Sequence, residues 1–295
     1  MKLKRKNTGS TILNLTLLFV FFMMNNITFS SGQTINSESA NYNYKVEEMY
    51  ITTNDGKKIY GQLYLPDHLD KKIPIVISAH GYRGTHANNK DYAEALARQG
   101  VAVYNFDFCG GGLDSKSDGK TTEMSVLTEV NDLRSVLSHL QTLDYVDPNS
   151  VFLLGVSQGG VVSSILASEK VDEIAGIILV YPAFVIPDDV KKRYDNVNEI
   201  PETTDLMGME LGKIYFADMF EYDIYEKIPF YEKNVLIIHG DKDELVNISY
   251  SQKAKEVYQN SELKIIKGAG HGFSGEDKKE AIQYMVEYLS KNIGN

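Results

Sequence analysis

Ser157 stands in "GVSQGG", residues 155–160, between the apolar run "SVFLL" and the stretch "VVSSIL". A serine flanked by glycines, where a buried strand gives way to a helix, is the arrangement of an exposed nucleophile. The sharp turn brings neighbouring backbone close to Gly155 and Gly159, where any side chain would collide. The Ser157 hydroxyl then stands above the start of a helix, where developing negative charge is favoured. Such a serine is a weak nucleophile until a histidine takes its proton, and the histidine needs a carboxylate to fix its tautomer and stabilise its cation.

Both partners are expected on loops after later strands, in the order Ser, Asp, His. After "NVLIIHG" comes "DKDELV", and after "ELKIIKG" comes "AGHGF". His271 is the base in this reading, with small neighbours that let its loop approach the nucleophile. His239 ends a strand and reads as buried support, while His68, His80, His86 and His139 lie upstream of the serine and do not match the chain order. Asp241 and Asp243 are both candidates for the acid, and distance from the strand does not decide between them. Two backbone N–H groups are needed for the oxyanion. Gln158 supplies one at the amino end of the helix and Tyr82 in "HGYRG" supplies the other, neither needing its side chain for that task.

The glycine run in "FDFCGGG", residues 106–112, lacks the lysine and hydroxyl residue of a phosphate-binding loop and the G-x-G-x-x-G spacing. Asp107 there reads as a structural residue that pins neighbouring loops. Cys109 lines or underlies the pocket, with no nucleophilic task left for it. No compact group of histidine, cysteine and carboxylate has metal-ligand spacing, so neither metal nor cofactor is expected.

The elements that must position these residues follow one pattern. "YKVEEMYITTNDGKKIYGQLYLP" carries a strand on each side of Asn54, Asp55 and Gly56, an antiparallel turn signal. "IPIVISAHG", a helical stretch "NNKDYAEALARQG" and "VAVYNFDF" then read as strand, helix, strand. Residues 121–141 place Val126, Val130, Leu133, Val136, Leu137 and Leu140 at helical spacing. "SVFLLG", a helix over about 159–169, and "IAGIILVYPA" continue the alternation, and "NVLIIHG", "ELKIIKGAG" and a final amphipathic helix close the chain. The sum is a mostly parallel eight-stranded sheet with helices on both faces. Residues 184–230 are too long for a simple crossover and are expected to form an insertion over the carboxyl edge of the sheet, where ligands bind in such folds.

At 295 residues the chain has room for one large α/β domain, or two smaller ones. Its formal net charge of -10 offers no electrostatic footprint for nucleic acid. The single cysteine excludes an internal disulfide. "MKLKRK" followed by "ILNLTLLFVFFMM" has the layout of a secretory signal peptide over residues 1–32, or of an uncleaved anchor, and it is short for a spanning helix. Residues 33–43 read as a polar linker and 44–295 as the working domain, placed outside the cytoplasmic membrane.

Taken together, "HGYRG" at 80–84, "FDFCGGG" at 106–112, "GVSQGG" at 155–160, "HGDKDELV" at 239–246 and "GAGHGF" at 268–273 give the chain a resemblance to the α/β-hydrolases. More narrowly it resembles the bacterial cinnamoyl or feruloyl esterases and their serine-hydrolase relatives, over roughly residues 45–290. Within that family's H-G-x-x-D-x-x-V pattern the catalytic carboxylate matches Asp243, with Val246 completing it, and Asp241 falls on a variable position. The resemblance also implies oxyanion donation by the amides of Tyr82 and Gln158. In the esterases the region matching "GKIYFADMFEYDIYE", residues 212–226, helps to shape an aromatic acyl pocket, which makes Tyr215 and Tyr225 candidates for substrate contact or for core packing. The leading segment departs from the cytoplasmic members. The function implied is hydrolysis of a small-molecule carboxylic ester. A serine peptidase or aminoacyl hydrolase would use the same three residues, and a non-catalytic binding protein on this fold would normally lack one of them.

Overall fold

Asn54, Asp55 and Gly56 turn the chain between β1 (Tyr44–Thr52) and β2 (Lys58–Pro66), which pair antiparallel from Tyr44↔Pro66 to Thr52↔Lys58. This is seen in a computed structural model that describes residues 41–67 and 71–294. The expected leader, most of the linker and His68 lie outside the described residues. Among the described residues no helix is long and apolar enough to cross a membrane.

The strand and helix alternation then runs through β3 (Ile73–Ala79), α1 (Lys90–Ala97), β4 (Ala102–Phe106), α2 (Val126–Leu140), β5 (Val146–Val156), α3 (Gln158–Glu169) and β6 (Gly176–Val180). Residues 184–230 hold α4 (Ile186–Arg193), a hairpin of β7 (Thr203–Leu206) and β8 (Met209–Gly212), α5 (Lys213–Phe220) and α6 (Ile224–Lys227). The chain closes with β9 (Val235–Gly240), α7 (Ser249–Val257), β10 (Ser261–Ile266) and α8 (Gly275–Asn292). The main sheet has eight strands in the order β1-β2-β4-β3-β5-β6-β9-β10. β2 pairs antiparallel with β1 and β4, and every other pairing is parallel.

Alternation along the strands feeds two cores. Ile75, Ile77, Leu153 and Ile177 pack with Leu133 and Val136 of α2 and Ile165 and Leu166 of α3. Val76, Val103, Leu154 and Ile178 pack on the other face with Leu96 of α1 and Met285 and Leu289 of α8. Full burial of each such side chain contributes about 1.5–3 kcal/mol. With Cys109 buried and unpaired, these two cores hold the domain without a disulfide.

Two elements differ from the sequence reading. The helix expected from residue 121 begins at Val126. Ser125 caps it, its hydroxyl accepting from the Thr128 amide at 3.2 Å while Thr128 Oγ1 accepts from the Ser125 amide at 2.8 Å. That reciprocal cap satisfies two amides that a longer helix would have used internally. The β7–β8 hairpin was not anticipated. Met207 and Gly208 turn it with φ of +52° and +80°, the left-handed pair of a tight two-residue turn.

Candidate active site

The last residue of β5, Val156, pairs with Val180, and the chain then turns at Ser157 with φ +52° and ψ −117°. A side-chain-bearing residue in this conformation costs of order 1–3 kcal/mol and persists only where its surroundings enforce it. The enforcement is close backbone packing. A Cβ on Gly155 would lie 2.4 Å from the Gly159 carbonyl oxygen, and a Cβ on Gly159 would lie 2.4 Å from that of Ala79. The Ser157 amide donates to the Val180 carbonyl at 2.9 Å, and the Ala183 amide donates to the Ser157 carbonyl at 3.0 Å. Ser157 is therefore pinned by main chain on both sides.

The loop after β10 brings His271 to it. His271 Nε2 lies 3.0 Å from Ser157 Oγ, and His271 Nδ1 lies 2.8 Å from Asp243 Oδ2. Asp243, on the loop after β9, accepts at Oδ1 from the amides of Leu245 at 3.0 Å and Val246 at 2.8 Å. Burial would raise its carboxyl pKa, but hydrogen bonds from His239, His271 and the Val246 amide outweigh that and hold it well below the usual carboxylate range. His239 is the buried support expected. Its Nε2–H is shared between the Val246 carbonyl at 2.9 Å and Asp243 Oδ2 at 3.2 Å, and its Nδ1 accepts from the Ser251 hydroxyl at 2.7 Å. Asp241 is occupied elsewhere, accepting from the Gly268 amide at 2.6 Å. Of the two acids, the fold brings Asp243 to His271.

Tyr181 was not singled out in the sequence. Its ring lies 4.6 Å from that of His271 and 4.8 Å from that of Phe273, and its φ is +35°. It forms a shelf under the imidazole. The only signal was its place directly after β6, level with the serine.

The Gln158 amide opens α3, where no carbonyl of the helix itself can accept from it. Tyr82 lies on the loop after β3, whose Gly81 approaches Ser157 so closely that a Cβ there would lie 3.0 Å from Ser157 Cβ. His80 braces this loop, Nδ1–H donating to the Gly81 carbonyl at 2.8 Å and Nε2 accepting from the Phe108 amide at 3.2 Å. The side chains of Tyr82 and Gln158, which oxyanion donation does not need, are engaged in bonds of their own. Tyr82 Oη donates to the Leu206 carbonyl and Tyr215 Oη to Gln158 Oε1, both at 2.8 Å.

The glycine run serves packing. A Cβ on Gly110 would lie 2.3 Å from the Lys120 carbonyl oxygen, and one on Gly112 would lie 2.5 Å from that of Gly84. Asp107 pins the same loops, accepting from the His86 amide at 2.6 Å and the Lys116 amide at 2.8 Å.

Two cavities share Ser157. The larger, of about 500 Å³, is walled by Tyr82, Tyr215, Phe216, Val185, Leu206 and Met207 among others. The smaller, of about 390 Å³, includes His271, Tyr181, Phe273, Asn88, Tyr92 and Lys278 in its lining. Of the expected pocket residues, Tyr215 lines the larger cavity. Tyr225 does not: it lines a separate cleft and donates to the Tyr250 carbonyl at 2.9 Å. Cys109 lines neither, because its loop turns it toward α2, where its amide donates to Asp132 at 2.8 Å and burial raises its thiol pKa. Among the described residues no group of three or more histidine, cysteine and carboxylate side chains could hold a metal ion.

Est1E of Butyrivibrio proteoclasticus, solved with ferulic acid bound, superposes with a TM-score of 0.76 at 27% identity, over 84% of this chain and 100% of its own. The chain has the α/β-hydrolase fold. The family described as serine aminopeptidase, S33, matches this hydrolase over residues 70–215, a range that includes Ser157 but stops short of Asp243 and His271. Rat monoglyceride lipase is 30% identical over 135 residues, covering 45% of the hydrolase and 42% of the lipase. The hydrolase thus matches less than half the length of that relative. An uncharacterised protein of Salmonella typhi, YfhR, is 24% identical over 260 residues, covering 83% of the hydrolase and 82% of its own length.

Proposed function

We propose that this hydrolase cleaves carboxylic esters through an acyl-enzyme on Ser157. The observation that carries the reading is the unbroken line from Ser157 Oγ through His271, at 3.0 Å and 2.8 Å, to a carboxylate held ionised by its neighbours. His271 takes the Ser157 proton as Oγ attacks the ester carbonyl, and the amides of Tyr82 and Gln158 hold the oxyanion. His271 then protonates the departing alcohol. Water enters, gives its proton to His271 and releases the acid, restoring Ser157. Asp243 stays ionised throughout.

The geometry gives the site a direction. The leaving oxygen must reach His271, which lines the smaller cavity and not the larger. The alcohol therefore departs through the smaller cavity and the acyl group occupies the larger. Tyr82, Tyr215 and Phe216 on that wall, with the insertion 184–230 acting as a lid, support an aromatic acyl group of the cinnamoyl or feruloyl kind. The ferulic acid bound to Est1E is in keeping with this choice.

The matched family's description favours a second reading, an aminopeptidase. Such an enzyme needs a free carboxylate for the substrate's terminal ammonium. Among the described residues Asp189 is the one acid lining the larger cavity, and Lys192 already pairs with it at 3.1 Å. Ester cleavage is the better fit.

The test is kcat/KM of the purified protein on short acyl esters, methyl ferulate and an aminoacyl peptide, beside Ser157→Ala. Serine-dependent ester turnover with ferulate favoured is expected, and dominant peptide cleavage would replace this reading with the second. The basic and apolar start of the sequence supports export, which amino-terminal sequencing of the protein from culture medium would check.

A further inference from the structure

Gln158 contributes more than an amide. Its side chain is the middle of a buried chain of three. Tyr215 Oη on α5 donates to Gln158 Oε1 at 2.8 Å, and Gln158 Nε2 donates to Glu129 Oε2 on α2 at 2.9 Å. Gln158 and Glu129 are each 1% exposed, and Tyr215 is 4% exposed. Burial raises the Glu129 carboxyl pKa well above the usual range, which favours its uncharged form at the end of the chain of bonds. The glycine loop closes over that acid: a Cβ on Gly111 would lie 3.3 Å from Glu129 Oε1 and 2.7 Å from Phe108 Cβ.

A buried amide, phenol and carboxyl are costly unless each is satisfied, and apolar side chains would fill the same space more cheaply. What the chain adds is position. It grips the residue whose amide faces the oxyanion, and Tyr82, which bears the other amide, is tied to the same insertion through Leu206. The Tyr82 and Tyr215 rings lie 5.9 Å apart, so both ties meet at the wall of the acyl cavity. One oxyanion donor is worth about 10²–10³ in kcat, and a misplacement of about 1 Å forfeits much of that.

We propose that Glu129 and Tyr215 are positioning residues that clamp Gln158 from opposite sides, so that the oxyanion amide and the acyl wall are set together. This rests on the ester-hydrolase reading. A consequence is that acyl fit is read in kcat and not in KM alone, because an acyl group that seats against Tyr215 also seats the amide.

The experiment compares 4-nitrophenyl acetate with 4-nitrophenyl 3-phenylpropionate, which share a leaving group and differ in filling the cavity. Turnover is normalised to active sites titrated with diethyl 4-nitrophenyl phosphate, which removes unfolded protein from the count. Gln158→Leu, Tyr215→Phe and Glu129→Leu are each expected to lower kcat about tenfold on the larger ester, with KM within about twofold. Glu129→Gln keeps a carbonyl acceptor for Gln158 and should stay within about threefold of the parent. The double variant Tyr215→Phe with Glu129→Leu should be no slower than the slower single one, since both act through Gln158. Unchanged kcat per titrated site in Gln158→Leu, changes confined to KM, or multiplying effects in the double variant would overturn the clamp. Ser157→Ala separates the two levels. If it turns over both esters like the parent, the ester-hydrolase reading falls and the clamp with it. If turnover needs Ser157 yet the clamp variants match the parent, only the clamp falls.

Discussion

The turn at Ser157 and the insertion over residues 184–230 face each other across one cavity, and they are held by different means. The turn is held by main chain: glycines with no room for a Cβ, a serine at φ +52°, and amide bonds to Val180 and from Ala183. The insertion is held largely by side chains, with Tyr82 reaching Leu206, Arg83 reaching Met207, Tyr215 reaching Gln158 and Ser125 reaching Asp218. Backbone packing tolerates almost no substitution and preserves chemistry. Side-chain ties can be exchanged one at a time, which suits the region that walls the larger cavity.

The sharpest way to break this contrast is at the nucleophile. Ser157→Ala is expected to lower kcat/KM on a 4-nitrophenyl ester by about 10⁴-fold or more with no loss of thermal stability, because it removes the attacking atom and relieves nothing else. Asp243→Asn should cost about 10³–10⁴-fold, since His271 would then be held in the wrong tautomer. Asp241→Asn, which alters only the tie to Gly268, should stay within about threefold in the same assay. Gly159→Ala tests the backbone side directly: its Cβ would meet the carbonyls of Ala79 and His80 at 2.4 and 2.5 Å. A loss of about 3 kcal/mol by denaturant titration is expected, with residual activity per folded molecule also reduced.

A smaller effect separates the two kinds of carboxylate. Burial pushes Asp132 up to about 7, against the opposing hydrogen bond from the Cys109 amide. The folded state then keeps a proton that the unfolded chain gives up near pH ~4, so stability falls as pH rises from about 4 to about 7. Asp132→Asn keeps an acceptor for Cys109 and should flatten the stability profile in that window. Asp243 has the opposite sign, its depressed pKa supplying stability above the ordinary carboxylate range that is lost as pH falls below it. Smallest of all, Tyr225→Phe removes a bond to Tyr250 outside the acyl cavity and should cost about 1 kcal/mol or less, with kcat/KM within about twofold.

The inner strands were legible because apolar β-branched runs leave little choice of state, β1 and β2 because of the Asn54, Asp55 and Gly56 turn between them, and the Ser157 turn because its glycines advertise the crowding they permit. The β7–β8 hairpin was missed: its strands are four residues each, too short for the Met209, Glu210, Leu211 alternation to stand out, and its turn signal was Gly208. The resemblance made Tyr225 a candidate for substrate contact or core packing, and it packs against the core; Cys109, read as lining or underlying the pocket, does not line it. Their own loop and helix turn them away, Tyr225 to Tyr250 and Cys109 to Asp132.

What the sequence determined by itself was the chemistry available, a serine, a histidine and an acid at the ends of parallel strands, because strand period and turn sterics act over a few residues. Only the tertiary structure decided how the wall of the larger cavity and the residue after Ser157 are joined. Glu129, Gln158 and Tyr215 lie on three separate helices, and hydrogen bonds among buried groups depend on where those helices pack, which no local pattern records.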